Sequence, residues 1–125
     1  MVLVDTSVWI EHFRRSNRKL TSLLEAEEVA IHPFVLGELA CGNLHNRKEI
    51  MALLHALPDV AKVEDDEALL FIERHGLMGR GVGLIDVHLV ASCRIEACLL
   101  WTRDKRLHTI AQEMKIEFSQ HHAGG

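Results

Sequence analysis

Short, wholly apolar runs alternate along this chain with segments of helical period, and little chain separates them. That alternation constrains the fold more than any other feature. Val2-Leu3-Val4 is apolar at every residue, as a strand buried on both faces must be. Val29–Ile31, Val60–Val63, Cys98–Trp101 and Ile116–Phe118 read the same way. Between them, Val8–Arg15 reads as a helix after the cap-type residues Thr6 and Ser7. Leu20, Leu23 and Leu24 give a second helix its apolar stripe. Pro33 suits the first turn of a helix running to Cys41, with Gly42 ending it. Ile50, Leu53, Leu54 and Leu57 mark a fourth helix, stopped by Pro58. Asp65 is expected to cap a helix that runs to His75 and closes at Gly76. A glycine-rich loop leads to helices over Leu84–Arg94 and Lys105–Met114. Strands alternating with helices over short connections predict an α/β fold: an α/β/α sandwich with a central, mostly parallel sheet. In such sheets ligands bind at the carboxyl ends of the strands.

The 125 residues fit one compact domain, expected over 1–119. The ending His121-His122-Ala123-Gly124-Gly125 reads as part of a disordered tail over 120–125. No apolar run approaches the roughly 20 residues that would span a membrane. The opening MVLVDTSV lacks the basic start and cleavage site of a secretory signal. Three cysteines, an odd number, suit a reducing cytoplasm. The net charge of −4 counts against a simple nucleic-acid binder. That objection weakens if several acids share a metal site, where a bound cation reverses the local field. Basic residues do concentrate at Arg14, Arg15, Arg18 and Lys19, and the preferred reading of that run is a solvated helix end and loop.

Most acids read as solvated. Glu25, Glu27 and Glu28 sit at a helix end, and Asp65, Asp66 and Glu67 sit in a first turn, where the helix dipole favours negative charge. Four others stand among apolar neighbours. Asp5 ends the first apolar run, and Asp104 follows Trp101 by three residues. Glu38 lies within Val35-Leu36-Gly37-Glu38-Leu39-Ala40, and Asp86 within Gly83-Leu84-Ile85-Asp86-Val87. Acids are rarely buried unless they pair or bind metal. If the strands run parallel, Asp5 and Asp104 meet at one sheet edge, and Glu38 and Asp86 lean in from helices. Two carboxylates about 4 Å apart repel by roughly 4 kcal/mol at an effective dielectric near 20. Such a cluster raises pKa values or draws in a divalent cation, and oxygen-only ligands favour Mg²⁺ or Mn²⁺. The bland alternative is a separate cap or salt bridge for each acid.

Val4-Asp5-Thr6-Ser7-Val8-Trp9-Ile10, Gly37-Glu38-Leu39-Ala40-Cys41-Gly42, Asp86 in its small-apolar helix and Thr102-Arg103-Asp104 resemble, in order and spacing, the four motifs of PIN-domain nucleases. The likeness covers nearly the whole chain and is nearest to the VapC-like toxins of bacterial and archaeal toxin–antitoxin pairs. It implies a PIN-like parallel sheet with the first and fourth strands adjacent. It also implies Mg²⁺ or Mn²⁺ at Asp5, Glu38, Asp86 and Asp104, cleavage of single-stranded or looped RNA, a homodimer, and a cognate antitoxin that covers the site. Asp5 and Asp86 are expected as primary metal ligands, with Asp104 and Glu38 completing the shell or orienting water. Ser7 and Thr102 are expected to bond a ligand carboxylate or a phosphate, or to act as helix caps. Two departures, Leu107 in place of a frequent aromatic and Cys93 after Ser92, bear on packing rather than chemistry.

Other signals are weaker. Gly76, Gly79, Gly81 and Gly83 do not spell a dinucleotide pattern and follow a helix, so they read as a flexible loop whose Arg80 could reach a phosphate. Cys41 and His45 lack a second zinc half-site, and a histidine base is a minor reading. Trp9 and Trp101 read as core. A haloacid-dehalogenase-type phosphatase using Asp5 would want an acid two residues on, where Ser7 stands. A receiver domain would want its acceptor Asp on the third strand, and nothing after Val63 suits. A non-catalytic binding module, its carboxylates gripping a partner's arginines, is the main non-enzymatic alternative.

Overall fold

A computed structural model describes residues 1–120. The expectation of a disordered tail therefore falls, past Gln120, outside the described residues. In order, the elements are β1 (Val2–Val4), α1 (Thr6–Arg14), α2 (Arg18–Glu25), β2 (Val29–Ala30), α3 (Pro33–Cys41), α4 (Arg47–Ala56), α5 (Asp65–His75), α6 (Leu84–Glu96), β3 (Leu99–Trp101) and α7 (Lys105–Glu113). The three strands form one parallel sheet in the order β2-β1-β3. Val2 pairs with Val29 on one side and Leu99 on the other, and Val4 pairs with Trp101. Every residue of β1 is buried, because helices cover both faces of the sheet. The result is the α/β/α sandwich that the alternation predicts.

Two expected strands shrink to single parallel bridges, Ile31 with Asp59 and Leu100 with Glu117. The cause is competition for backbone groups. Val60 N–H still donates to Ile31 O at 2.9 Å, but the next residue leaves the ladder. Ala61 N–H goes to the Glu96 carboxylate at 3.2 Å, and Ala61 O accepts from Ser92 Oγ at 2.7 Å. Residues of α6 thus consume what a strand over Val60–Val63 would need. On the other edge, Ile116 N–H closes α7 by donating to Ala111 O. Helix ends also differ slightly from expectation. Glu64, not Asp65, occupies the cap of α5, and Asp5, not Thr6 or Ser7, caps α1.

His32 caps α3: its Nδ1 accepts from Phe34 N–H at 3.0 Å, ahead of Pro33 in the first turn. The ring is fully buried beside His88, and neither His32 Nε2 nor any His88 nitrogen has a hydrogen-bond partner among the described residues. No helix of the described residues is long and apolar enough to cross a membrane.

The chain leaves β1 for β2 on one side and returns to β3 on the other. β1 and β3 therefore end side by side where the strand order switches, the place at which parallel sheets present ligand sites.

Candidate active site

Asp5 begins where the β1–β3 ladder stops, its N–H still donating to Trp101 O at 2.9 Å. It is 8% exposed, and both oxygens of its carboxylate accept hydrogen bonds. Oδ1 accepts from Thr6 N–H at 2.8 Å, as the cap of α1. Oδ2 accepts from Thr102 Oγ1 at 2.7 Å and from Ser7 Oγ at 3.1 Å. Each of those hydroxyls is itself an acceptor: Thr102 Oγ1 takes Asp104 N–H at 3.0 Å, and Ser7 Oγ takes Arg103 N–H at 3.2 Å. The hydrogen bonds run in one sense from the backbone of 103–104, through two hydroxyls, to one carboxylate. Such chains polarise one another and fix the orientation of the carboxylate.

The other three acids reach the same edge from different elements. Asp104 caps α7, its Oδ1 accepting from Arg106 N–H at 2.9 Å and Leu107 N–H at 3.0 Å. Glu38 extends from α3 to accept from Thr6 Oγ1 at 2.7 Å, which ties α3 to the first turn of α1. Asp86 lies in the first turn of α6, where Oδ2 accepts from Gly83 N–H at 3.2 Å. Its pKa is raised above the ordinary carboxylate range, first by desolvation, then by the charges of Asp5, Asp104 and Glu38, against the lowering effect of the Gly83 bond. The structure thus brings the four acids within electrostatic reach of one another. Among the described residues, none of the four makes an ion pair with a cationic side chain.

Two expectations need correction. Asp5 alone of the four is buried; Asp86 is half-buried and Glu38 and Asp104 are exposed, so the apolar sequence around them overstated their burial. The reason is position: Asp86 and Asp104 sit at the starts of α6 and α7, and Glu38 lies off the face of α3 that buries Val35 and Leu39. The acids are also not drawn up around one point. Among the described residues no three His, Cys, Asp or Glu side chains are placed to grip an ion together. Glu38, Asp86 and Asp104 each keep one carboxylate oxygen without a hydrogen bond in that set.

Arg80 has another use than the expected phosphate contact. Its guanidinium pairs with both carboxylate oxygens of Glu113 at 2.7 Å. Glu113 ends α7 while Asp104 caps its start, about 13 Å away at 1.5 Å per residue. The loop is further seated on α7 at Gly81, whose φ of +82° suits glycine and whose missing Cβ would meet the Arg106 guanidinium at 2.6 Å. Thr6, read in sequence only as a cap-type residue, is a site residue through its bond to Glu38. Its only signal is the hydroxyl directly after the acid that ends β1.

Comparison with known proteins gives consistent findings. The family model for the PIN domain matches residues 2–113. The chain is 40% identical over 121 residues to ribonuclease VapC32 of Mycobacterium tuberculosis, covering 96% of this chain and 98% of that protein. In fold it is similar to PAE2754 from Pyrobaculum aerophilum, with a TM-score of 0.65 at 15% identity, covering 86% of this chain and 82% of the other. It is also similar to a chain of a toxin–antitoxin complex from Klebsiella pneumoniae, with a TM-score of 0.60 at 19% identity, covering 83% and 87%.

Proposed function

The chain belongs to the PIN-domain family, and on that premise we propose that it is a divalent-metal-dependent ribonuclease, the toxin of a toxin–antitoxin pair. The ribonuclease relative, matched over nearly its full length, supports the reaction class. The similar chain from a toxin–antitoxin complex supports the setting. The observation that carries the chemistry is four carboxylates from four segments, without a cationic partner among the described residues, one of them desolvated and pressed by the charge of the other three.

That donor set fits Mg²⁺ or Mn²⁺, being oxygen-only and negatively charged. Asp5 and Asp86 would be its first ligands, with Asp104 and Glu38 completing the shell. When bound, such an ion polarises the phosphodiester and lowers the pKa of water. The chain's own residues do the rest. Thr6 N–H, Ser7 and Thr102 hold the Asp5 carboxylate in place before anything binds. Asp104 stays immobile on the first turn of α7, and Thr6 holds Glu38. Asp86, desolvated and facing the charges of Asp5, Asp104 and Glu38, is the group whose repulsion a cation would relieve most. Ser7 and Thr102 act through Asp5, as positioning residues.

Residues 1–119 form one nuclease domain in this reading, working in the cytoplasm on single-stranded or looped RNA. Its partners are a second copy of the chain and a cognate antitoxin. Leu69, Leu70 and Ile95, exposed on α5 and α6, supply apolar surface for such contacts. The test is cleavage of single-stranded RNA by purified protein with Mg²⁺, with chelator, and with Asp86→Asn. Metal-dependent cutting lost in the variant is expected; cutting that persists in the variant or in chelator overturns the assignment.

A further inference from the structure

Across the segment 102–104 from the carboxylates, a cleft of about 680 Å³ opens between α1 and α7. That volume lies within the range of small-ligand sites. Its floor is apolar, formed by Val8, Trp101 and Phe118, all buried. Its walls are polar: Arg103 and Lys105 supply positive charge and stand with Asn17, His108, Ser119 and Gln120. Lys105, His108 and Thr109 follow the spacing that puts side chains on one face of a helix, here the face of α7 that lines the cleft. Glu11 is the one acid of the lining, and it is already paired with Arg103 at 2.9 Å and Arg15 at 3.5 Å. Lys19 lies 6.0 Å from the Phe118 ring centroid. Lys19, the last residue of the basic run that in sequence reads as a solvated helix end and loop, therefore borders a concave surface.

Thr102 joins the cleft to the carboxylates. It lines the cleft while its hydroxyl holds Asp5. A polymer with one phosphate at the carboxylates must lead its neighbouring nucleotide across this shared wall or across the rim made by Glu38 and Asp86. The rim carries two acids, whereas the cleft adds Lys105 to the Arg103–Glu11 pair, and a phosphodiester chain follows the path with the positive excess. The polar wall is also ordered in advance: Asn17 caps α2 through Oδ1 and donates from Nδ2 to Gln120 Oε1 at 3.0 Å, which turns the Gln120 amide into a fixed donor.

We propose that this cleft receives the nucleotide adjoining the scissile phosphate of single-stranded RNA, its phosphate between Arg103 and Lys105 and its base against Asn17, Ser119 and Gln120. The choice of RNA rests on the nuclease reading; the cleft's affinity for a nucleotide phosphate does not. The geometry makes Lys105 a binding residue that contributes to grip and not to bond breaking.

The experiment measures binding of a short fluorescent oligoribonucleotide of mixed sequence by anisotropy, in chelator so that no metal-dependent cutting intervenes, across a series of salt concentrations. Lys105→Ala is expected to weaken binding about three- to tenfold and to lower the slope of log affinity against log salt by about 0.7, one single-strand phosphate contact. In Mg²⁺, KM for cleavage rises by the same factor and kcat holds. Lys48→Ala, which removes a lysine from exposed α4, is expected to leave the salt slope unchanged. An unaltered slope in Lys105→Ala, or an equal loss in Lys48→Ala, overturns the proposal. Cleavage with unaltered Lys105→Ala binding sinks the cleft and leaves the nuclease; the anisotropy pattern without any cleavage sinks the nuclease and leaves the cleft.

Discussion

Lowering the pH should destabilise this protein through His32, by an amount the structure sets. The neutral ring accepts Phe34 N–H at Nδ1, so its own proton sits on Nε2, buried and unpaired among the described residues. Protonating Nδ1 would break the α3 cap and place a charge in the core. The surroundings do not help: His88 and Lys62 both disfavour a second positive charge, and Asp65, 3.5 Å from His88, serves that ring instead. Burial first, then those two charges, pushes His32 down from 6.5 to about 4. A folded pKa below the unfolded one means that the unfolded chain binds more protons between those values, so stability rises with pH and falls on acidification. The loss begins near pH 6.5 and is complete near pH 4. At 1.36 kcal/mol per pH unit it amounts to about 2 kcal/mol between pH 7.5 and pH 5, and about 3 kcal/mol at its limit. His88, also lowered, adds in the same direction, and the two rings titrate as a coupled pair. Asp86, whose folded pKa is raised, works the other way, so the wild-type slope alone does not isolate His32. His32→Asn does. Its amide oxygen can keep the cap, and it cannot be protonated. Urea unfolding of both proteins at a series of pH values should show the wild type losing about 2 kcal/mol more than the variant by pH 5. Parallel pH curves would show that His32 accepts its proton in the fold and that the buried-ring argument is wrong.

Asp86→Asn should raise the metal-free melting temperature, because it removes a desolvated charge facing three like charges. Millimolar Mg²⁺ should raise the melting temperature of the wild type and do little for that variant, measured by thermal shift with and without chelator. Asp5→Asn should lower stability despite relieving the same repulsion: its NH₂ would face either Thr6 N–H or two hydroxyls already committed as donors, a cost of roughly 1–3 kcal/mol by urea unfolding. Glu113→Ala, which frees Arg80 at the surface, should leave stability within about 0.5 kcal/mol by the same assay. Leu3→Ala, in the fully buried middle of β1, should cost about 2–5 kcal/mol.

The fold was legible wherever a local signal agreed with burial. Pro33 and Gly42 bracket α3 as their chemistry predicts, and the run Val2–Val4 could only be a strand with both faces covered. The edge strands were not legible, because what dissolves the one at Val60–Val63 is Ser92 and Glu96 reaching Ala61 from 31 and 35 residues away. At the candidate site, the acids that end apolar runs stood out, and so did their order. Their exposure did not, since sequence neighbours report the burial of an element and not of each of its faces and ends. The web through Thr6, Ser7 and Thr102 depends on β1 and β3 finishing in register, a long-range fact that single residues do not encode. Arg80 reads as free in sequence for the same reason: Glu113 is 33 residues away.

β1 is only three residues long, and its last residue abuts Asp5. There is no spacer between what holds the molecule together and what it offers to solvent. Deleting or inserting one residue ahead of Asp5 would turn every side chain of the strand to the opposite face. It would also draw the carboxylate out of line with Thr102. Folding and chemistry are thus threaded on a single short segment, and the opening of this chain tolerates substitutions of similar size far better than any change of length.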